Sequence, residues 1–230
     1  MAPNIRTSSD NRLLAALPRA QFDRLAPHLL PEALVQGLVL LEPGERFDQV
    51  YFPHSGMLSL LVVMRNEEKA IETATVGREG VVGAMTGLGH SKSSVRVVVQ
   101  LPTTVSAITA SKFREIAKKS DAIRDMCLRF NEVLLLQARV STACNVLHPA
   151  EARFCRWLLQ SADRAESDTV GLTQDFLAEM LGLRRTSVSD IAGKIQALGV
   201  ITYSRGRIEI VDRPALERLS YECYETLSEH

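Results

Sequence analysis

The sequence predicts an α+β fold in which a β-rich part of the chain precedes a helical part. Between residues 34 and 110, short β-branched runs such as "MLSLLVVM" and "SVRVVVQL" alternate with turn signals such as Pro43–Gly44. Apolar residues then recur at helical spacing from residue 123 to residue 147, and two shorter helical patterns occupy residues 173–200. Many short strands separated by glycine and proline are typical of two packed sheets. We therefore predict a double-stranded β-helix, or jelly roll, followed by helices.

These patterns divide the chain into four segments. Residues 1–33 form an N-terminal segment with short helices, since Asn11 can cap "RLLAAL" and Pro18 interrupts that helix. Residues 34–110 form the β-sandwich, with "VVGAMTGLG" among its short apolar runs. Residues 111–148 form a short and a long helix, and residues 149–230 form a helical C-terminal domain. In this last domain we interpret "RAESDTVG" as a linker and "RPALERLSYECYETL" as one amphipathic helix.

Composition excludes several classes of protein. The 230 residues carry 27 basic and 27 acidic side chains, so the chain lacks the overall positive charge of a general nucleic-acid coat. The start "MAPNIRTSSDNR" has no apolar core of the kind that a secretory signal needs, and no apolar run reaches membrane-spanning length. We therefore expect a cytoplasmic protein.

The residues that commonly bind metals are scattered along the chain. Cys127, Cys144, Cys155 and Cys223 show no paired spacing, which favours reduced thiols. The five histidines are also isolated, so we predict no metal site and no cofactor.

An enzyme is the main alternative from another class. A metal-dependent jelly-roll enzyme needs clustered histidines, but the sandwich contains only His54 and His90, far apart in sequence. The sequence also shows no nucleophile elbow, phosphate loop or paired catalytic acids. We therefore expect that the chain is not an enzyme.

The long helical pattern repeats as an unbroken heptad. Its seam, spaced 3, 4, 3, 4, 3, 4, 3, consists of Ile123, Met126, Phe130, Val133, Gln137, Val140, Cys144 and Leu147. We predict that this seam is a homodimer interface in which Gln137 fixes the register, so that Val133→Glu breaks the dimer. The alternative is a helix that lies on the core of its own domain. Cys144 is either a thiol switch or a small buried residue, and the second is commoner.

Residues 173–200 predict two helices joined by a sharp turn. Thr173 can cap the first helix, and Gly182 ends it, because glycine enters the left-handed conformation at little cost. The second helix buries a stripe formed by Val188, Ile191, Ile195 and Leu198. An ordinary helical hairpin would show the same stripes, but the glycine and the following arginines favour a helix–turn–helix.

Polar side chains lie off this stripe, near the start of the second helix. They are Arg185, Thr186, Ser189 and Asp190. After Gly199, the alternation of "VITYSRGRIEIVD" predicts a two-stranded hairpin with Arg205 and Arg207 near its tip. Residues 184–207 contain five positive side chains and one negative, a local charge of +4. Such a local patch is the electrostatic signature of nucleic-acid binding.

The order of sandwich, long helix and winged helix–turn–helix resembles the Crp/Fnr superfamily of bacterial transcription regulators. The most specific part is "LTQDFLAEMLGLRRTSVSDIAGKIQALGVI" with the Arg205–Gly206 turn, while the sandwich match rests on Gly44, Gly56, Gly77, Gly80 and Gly83. The resemblance implies a homodimer bound to a palindromic operator in double-stranded DNA, with RNA polymerase as a further partner. A dimer that uses this motif for protein contacts instead is a further alternative.

The resemblance also assigns roles to single residues. Arg185 matches the family's guanine-reading arginine, whereas Thr186 and Asp190 replace a glutamate and a second arginine. Asp190 then either accepts a hydrogen bond from cytosine or pairs with a neighbouring arginine. With Ser189, these residues are the expected base contacts. The expected phosphate contacts are Thr173, Gln174, Arg184, Ser187, Lys194, Arg205 and Arg207.

The effector cassette departs from the family's pattern. Cyclic-nucleotide binders of the family carry a glycine–glutamate pair for the ribose and, about ten residues later, an arginine for the phosphate. Here Gly83 is followed by Ala84, and Ser93 or Ser94 stands at the arginine position. We therefore expect no response to cyclic nucleotides through the family's usual contacts and leave the effector unassigned. Arg96 or Lys92 as a replacement anchor, or a thiol-redox response, is the alternative.

Overall fold

The computed structural model describes residues 10–64 and 69–228 and divides the chain into two compact units. The first comprises Met1–Leu60 and Thr75–Leu135, and the second comprises Leu61–Ala74 and Leu136–His230. The N-terminal stretch judged against secretory signals lies mostly outside the described residues. Within the described ranges, no helix combines the length and apolarity needed to cross a membrane.

The first part of the chain forms the predicted sandwich. Helices α1 (Arg12–Ala16) and α2 (Arg19–Leu25) precede seven strands. These are β1 (Leu30–Leu34), β2 (Val39–Leu41), β3 (Gln49–Pro53), β4 (Met57–Met64), β5 (Lys69–Val76), β6 (Arg96–Leu101) and β7 (Thr103–Thr109). The strands form a three-stranded sheet, β1-β7-β3, and a four-stranded sheet, β2-β6-β4-β5. The jelly-roll prediction is confirmed.

One apolar run of the predicted sandwich is not a strand. Residues Ala84–Leu88 form a short 3-10 helix between Gly83 and Gly89, whose φ angles are 87° and 101°. Such positive φ angles suit glycine and turn the chain sharply at both ends, so the segment cannot remain extended.

Two helices follow the sandwich, as predicted. They are α3 (Ala110–Ala117) and α4 (Asp121–Leu147). The long helix ends before His148–Pro149, because proline restricts the residue before it and has no N–H to continue the helix.

The start of α4 belongs to the core of the sandwich. Ile123, Met126 and Phe130 are each less than 10% exposed and belong to the same apolar core as Phe52 of β3 and Phe113 of α3. Val133 is half-buried against the same core. The predicted dimer seam is therefore wrong for Ile123, Met126 and Phe130, where the alternative of a helix on its own core holds. A heptad pattern reports which face is apolar but not what covers that face.

The ring of Phe130 packs closely against Gly80. A Cβ atom built on Gly80 would lie 2.3 Å from Phe130 Cζ and 2.7 Å from Val76 Cγ1. Real Cβ atoms do not approach other atoms so closely, so only glycine leaves room for this ring.

Asn11 ties the N-terminal helices to the sandwich. Its Nδ2 donates to the carbonyl oxygens of Pro53 and Gly80, both at 2.8 Å, and its Oδ1 accepts from the Leu14 backbone N–H at 3.0 Å. The predicted N-cap is thus confirmed, and the residue is fully buried. One amide satisfies three backbone groups that have no access to water.

We expect Asn11→Ala to lower the free energy of unfolding of the sandwich by about 2–4 kcal/mol, because it removes the cap and leaves two buried carbonyls without donors. Chemical denaturation followed by circular dichroism measures the loss. The control is Arg12→Ala on the same helix, where the side chain is exposed and the expected change is within about 0.5 kcal/mol. Equal stability of the two variants would contradict the bridging role of Asn11.

The second unit holds the remaining elements. They are α5 (Ala150–Ala165), β8 (Thr169–Gly171), α6 (Gln174–Leu181), α7 (Arg185–Ala197), β9 (Ile201–Ser204), β10 (Arg207–Ile210), α8 (Arg213–Leu219) and α9 (Glu222–Ser228). The predicted hairpin is present, but β8 joins it to form a three-stranded sheet with the order β8-β10-β9. The interpretation of residues 164–171 as a plain linker is therefore wrong.

The C-terminal tail is two short helices rather than one. Ser220 and Tyr221 separate α8 from α9, and Tyr221 has a φ of 57°. A non-glycine residue in this left-handed region breaks the helical path, and residue pattern alone does not reveal it.

Candidate nucleic-acid interface and ligand pocket

Helices α6 and α7 form the predicted helix–turn–helix. Thr173 Oγ1 accepts a hydrogen bond from the Phe176 backbone N–H at 3.3 Å, which confirms the cap of α6. Gly182 ends α6 with a φ of 64°, as the left-handed C-cap requires. The buried stripe of α7 comprises Val188, Ile191, Ala192 and Ile195.

Leu198 does not belong to this stripe, contrary to the sequence prediction. It is 67% exposed, because α7 ends at Ala197 and the chain reverses at Gly199, where φ is 72°. Ala192, which the prediction did not include, is buried in the stripe.

The predicted base-contact residues surround the start of α7. Arg185, Thr186 and Asp190 are exposed there, and the Asp190 side chain makes no hydrogen bond or ion pair with any residue that the structure describes. The alternative in which Asp190 pairs with a neighbouring arginine is therefore not seen. The Ser189 hydroxyl, in contrast, already has a partner, because it donates a hydrogen bond to Gln174 Oε1 at 2.7 Å.

Arg185 is held only weakly. Its Nε lies 3.5 Å from Asp175 Oδ1, and the two side chains are 66% and 72% exposed. An ion pair this exposed contributes little free energy, so the guanidinium can exchange the carboxylate for another acceptor. Arg185 also lies close enough to Tyr203 to oppose a rise in the pKa of that phenol, which is raised mainly by burial.

The hairpin presents a second arginine beside Arg185. Arg205 and Gly206 form its two-residue turn with φ angles of 50° and 74°, the signs that a type I′ turn requires. The Leu172 backbone N–H donates to the Gly206 carbonyl at 2.8 Å, which fixes the turn beside the start of α6. A recess of about 450 Å³ results, lined by Thr173, Gln174, Asp175, Arg185, Tyr203, Arg205 and Gly206.

The other expected phosphate contacts divide into two groups. Arg184 at the N-cap of α7 and Arg207 after the turn are exposed, and Ser187 is half-buried in the first turn of α7. Lys194 lies nine residues beyond Arg185, about 13 Å along the helix. Its Nζ pairs with Glu151 Oε1 at 3.0 Å, which lowers the pKa of Glu151. Lys194 is thus held in an ion pair on a later turn of α7 than Arg185.

A second concave site lies in the sandwich, where the effector cassette is expected. Its volume is about 230 Å³. The expected cassette residues Gly83, Ala84, Lys92, Ser93 and Ser94 line it. Most of the other lining is apolar and includes Phe47, Leu60, Val81, Val82, Met85, Val95, Val97, Phe130 and Leu134.

The polar anchors of a cyclic phosphate are incomplete in this pocket. Arg96 is absent from its lining and donates from Nε to both carboxylate oxygens of Glu42 at 3.0 Å. The Ser93 hydroxyl is used locally, since it donates to the Val95 carbonyl at 2.6 Å and accepts from the Val95 N–H. Among the described residues, the charged side chain in the lining is Lys92, which is exposed at the rim. Of the two alternative anchors, Lys92 therefore lines the pocket, whereas Arg96 is paired with Glu42 outside the lining.

The end of the predicted seam meets the last helix of the chain. Cys144 and Cys223 are buried, and their sulfur atoms lie with a His148 nitrogen in a group whose members are within 4.8 Å of one another. Burial raises the pKa of the Cys223 thiol to about 12, and the nearby Cys144 adds to the effect. Spacing does not predict this cluster, because 75 residues separate His148 from Cys223. The signal that the sequence does give for this cluster is the spacing of Cys144 and His148, which places them one helical turn apart. Leu147 is 73% exposed and stays outside the cluster.

Two family models match the chain. A cyclic nucleotide-binding domain covers residues 31–120, and a Crp-like helix-turn-helix domain covers residues 152–219. A search among curated proteins finds no match.

Several solved structures share the fold. FixK2 from Bradyrhizobium japonicum is 15% identical, with a TM-score of 0.70 over 83% of this chain and 96% of that chain. The c-di-GMP-responsive regulator CLP from Xanthomonas campestris is 16% identical, with a TM-score of 0.68 over 84% and 99%. A Crp/Fnr-family transcriptional regulator from Thermus thermophilus is 18% identical, with a TM-score of 0.67 over 83% and 98%.

Proposed function

This chain belongs to the Crp/Fnr superfamily of DNA-binding transcription regulators, and we propose that it acts as a homodimer that reads a palindromic operator. The observation that carries the proposal is the exposed start of α7, where Arg185 lies beside the arginine of the hairpin turn. In a helix–turn–helix the first residues of the second helix reach base edges in the major groove. Such a protein meets its DNA, and RNA polymerase, in the bacterial cytoplasm.

The residues around the recess have separable roles in this proposal. Arg185 leaves Asp175 and donates to the two acceptors of a guanine, and Asp190 accepts from a cytosine. Thr186 contacts a thymine methyl group, while Ser189 acts mainly by holding Gln174. Arg184, Arg205 and Arg207 bind phosphates and set the position of the helix without reading sequence.

Dimerisation uses a different face of α4 from the predicted seam. Leu128 and Leu135 are 50% and 38% exposed and seven residues apart, so they lie on one side of the helix. Their side is opposite to the one that packs on the sandwich core through Phe130. A second copy of the chain covers this side in our proposal.

The sensor works without the family's usual nucleotide contacts. A buried phosphate needs charge-assisted hydrogen bonds, but the pocket offers only the exposed Lys92 among its charged lining residues. The apolar lining suits a small apolar effector better. The rival is nucleotide binding in which Lys92 holds the phosphate.

Selection of bound DNA from a random pool tests this function. The full chain is used once without ligand and once with cyclic AMP. We expect the same palindrome in both selections, with half-sites about one or two helical turns apart. A palindrome recovered only with cyclic AMP would favour the rival, and recovery of no DNA under either condition would contradict the function itself.

Two arginine variants separate base reading from phosphate binding. We expect Arg185→Ala to cost about 1–3 kcal/mol on the selected operator and little on an operator altered at the guanine that it reads. Arg205→Asn keeps a side chain that tolerates positive φ, so the turn stays intact. It should weaken binding to all operators equally and reduce the salt slope by about 1. Fluorescence anisotropy at several salt concentrations measures both effects, and a uniform loss in Arg185→Ala would make Arg185 a phosphate contact.

A further inference from the structure

The best candidate for a second site lies in the second compact unit, where the end of α4 meets α9. Cys144 and His148 are one helical turn apart, and Cys223 faces them from α9. One donor atom from each residue lies within 4.8 Å of the others, and Cys223 Sγ is 3.2 Å from His148 Nδ1. In a tetrahedral zinc site, sulfur and nitrogen ligands lie about 3.5–3.8 Å apart. Small side-chain shifts would therefore bring the three donor atoms to the distances of a zinc site.

The histidine is oriented as a metal ligand would be. Its Nδ1 faces the Cys223 sulfur, while its Nε2 lies 3.5 Å from Glu222 Oε1. Metal-binding histidines usually donate their second ring N–H to a carboxylate, which fixes the tautomer and makes the ligand nitrogen more basic. The Tyr221 ring stacks on the imidazole at 4.8 Å with an interplanar angle of 22°. The left-handed φ of Tyr221 sets the turn that brings the next two residues to the histidine.

The surroundings also enclose the three donor atoms. Both cysteines are buried, and the histidine side chain is 11% exposed, so a narrow path to solvent remains at the ring. Glu222 contacts the imidazole nitrogen that does not face the Cys223 sulfur, and therefore orients the ring rather than completing the ligand set. The protein supplies three ligands, and water fills the fourth position.

We propose that Cys144, His148 and Cys223 bind one zinc ion per chain, with Glu222 as the positioning residue for the histidine. Two thiolates and one imidazole match the preference of zinc over the harder magnesium and calcium ions. Bound metal would link the end of α4 to α9, both of which belong to the unit that carries the helix–turn–helix. It would thereby stabilise the folded form of that unit. This inference stands independently of the operator and effector proposals.

Cobalt(II) substitution tests the site directly. The reduced, chelator-treated full chain is titrated with cobalt(II), and the near-ultraviolet thiolate-to-cobalt charge-transfer band is recorded. Zinc then displaces the cobalt, and thermal unfolding is followed with and without zinc. We expect one equivalent per chain, loss of the band on zinc addition, and a higher melting temperature with zinc.

Variants of the cluster provide the controls. Cys144→Ala and Cys223→Ala should abolish the band, whereas Cys155→Ala, another buried cysteine of the same unit, should leave it unchanged. Glu222 is 71% exposed, so Glu222→Gln should fold normally and weaken metal affinity about 10–100-fold. Absence of the band in the wild-type chain, or the same affinity in Glu222→Gln as in wild type, would overturn the proposal.

Discussion

We expect Leu135→Glu to convert the proposed dimer into folded monomers. The side chain is 38% exposed, so a charge there stays in water in the single chain but is buried against like charge when two copies pair. Loss of pairing makes the two half-site contacts independent, and we expect operator affinity to fall about 10²–10⁴-fold. Sedimentation measures the mass, and anisotropy measures the DNA affinity.

Arg129→Glu is the control for this change. Arg129 is exposed on α4 but lies about 100° around the helix from Leu128, so its charge reversal should leave the dimer intact. Val133→Glu does not test the interface. Its charge would be placed against the sandwich core, so we expect it to lower the stability of the fold. A Leu135→Glu chain that sediments like wild type would exclude this face as the interface.

Trp157→Ala should have the largest effect on the second unit. The indole is 1% exposed within α5, and truncating a buried aromatic side chain costs about 3–5 kcal/mol. Far-ultraviolet circular dichroism during denaturation measures the loss, since the chain has no other tryptophan for fluorescence.

Trp157→Phe is the matched control. The indole N–H has no hydrogen-bond partner in the described part of the chain, so phenylalanine forfeits volume but no hydrogen bond. We expect Trp157→Phe to lose less than half of what Trp157→Ala loses. If Trp157→Phe were as unstable as Trp157→Ala, the indole would have to make a polar contact that phenylalanine cannot replace.

Helix ends were predictable from sequence because their determinants are local. Thr173 caps α6 through a hydrogen bond three residues on, Gly182 ends the same helix, and Pro149 follows the end of α4. Each signal acts within a few residues, so no knowledge of the remaining fold is needed. The proposed base-contact residues Arg185 and Asp190 were predictable for the same reason, since their positions follow directly from the start of α7.

Features that depend on distant parts of the chain were not predictable in this way. The heptad of α4 was clear, but whether Phe130 faces a partner or its own sandwich depends on Gly80, fifty residues earlier. The pairing of Arg96 with Glu42 joins residues 54 positions apart, and it removes the arginine from the pocket. The Cys223–His148 contact spans 75 positions and depends on the left-handed Tyr221. Periodicity carries no information about such contacts.

The seat of Phe130 on Gly80 restricts how this sequence can change over generations. Every replacement of Gly80 introduces a Cβ atom into space that the ring already fills, so a first step at this position is penalised whatever residue it brings. A smaller residue at position 130 must come first, after which alanine at position 80 becomes tolerable. The order of two substitutions is therefore fixed by one aromatic ring, and descendants of this chain should not have changed position 80 while they keep phenylalanine at position 130.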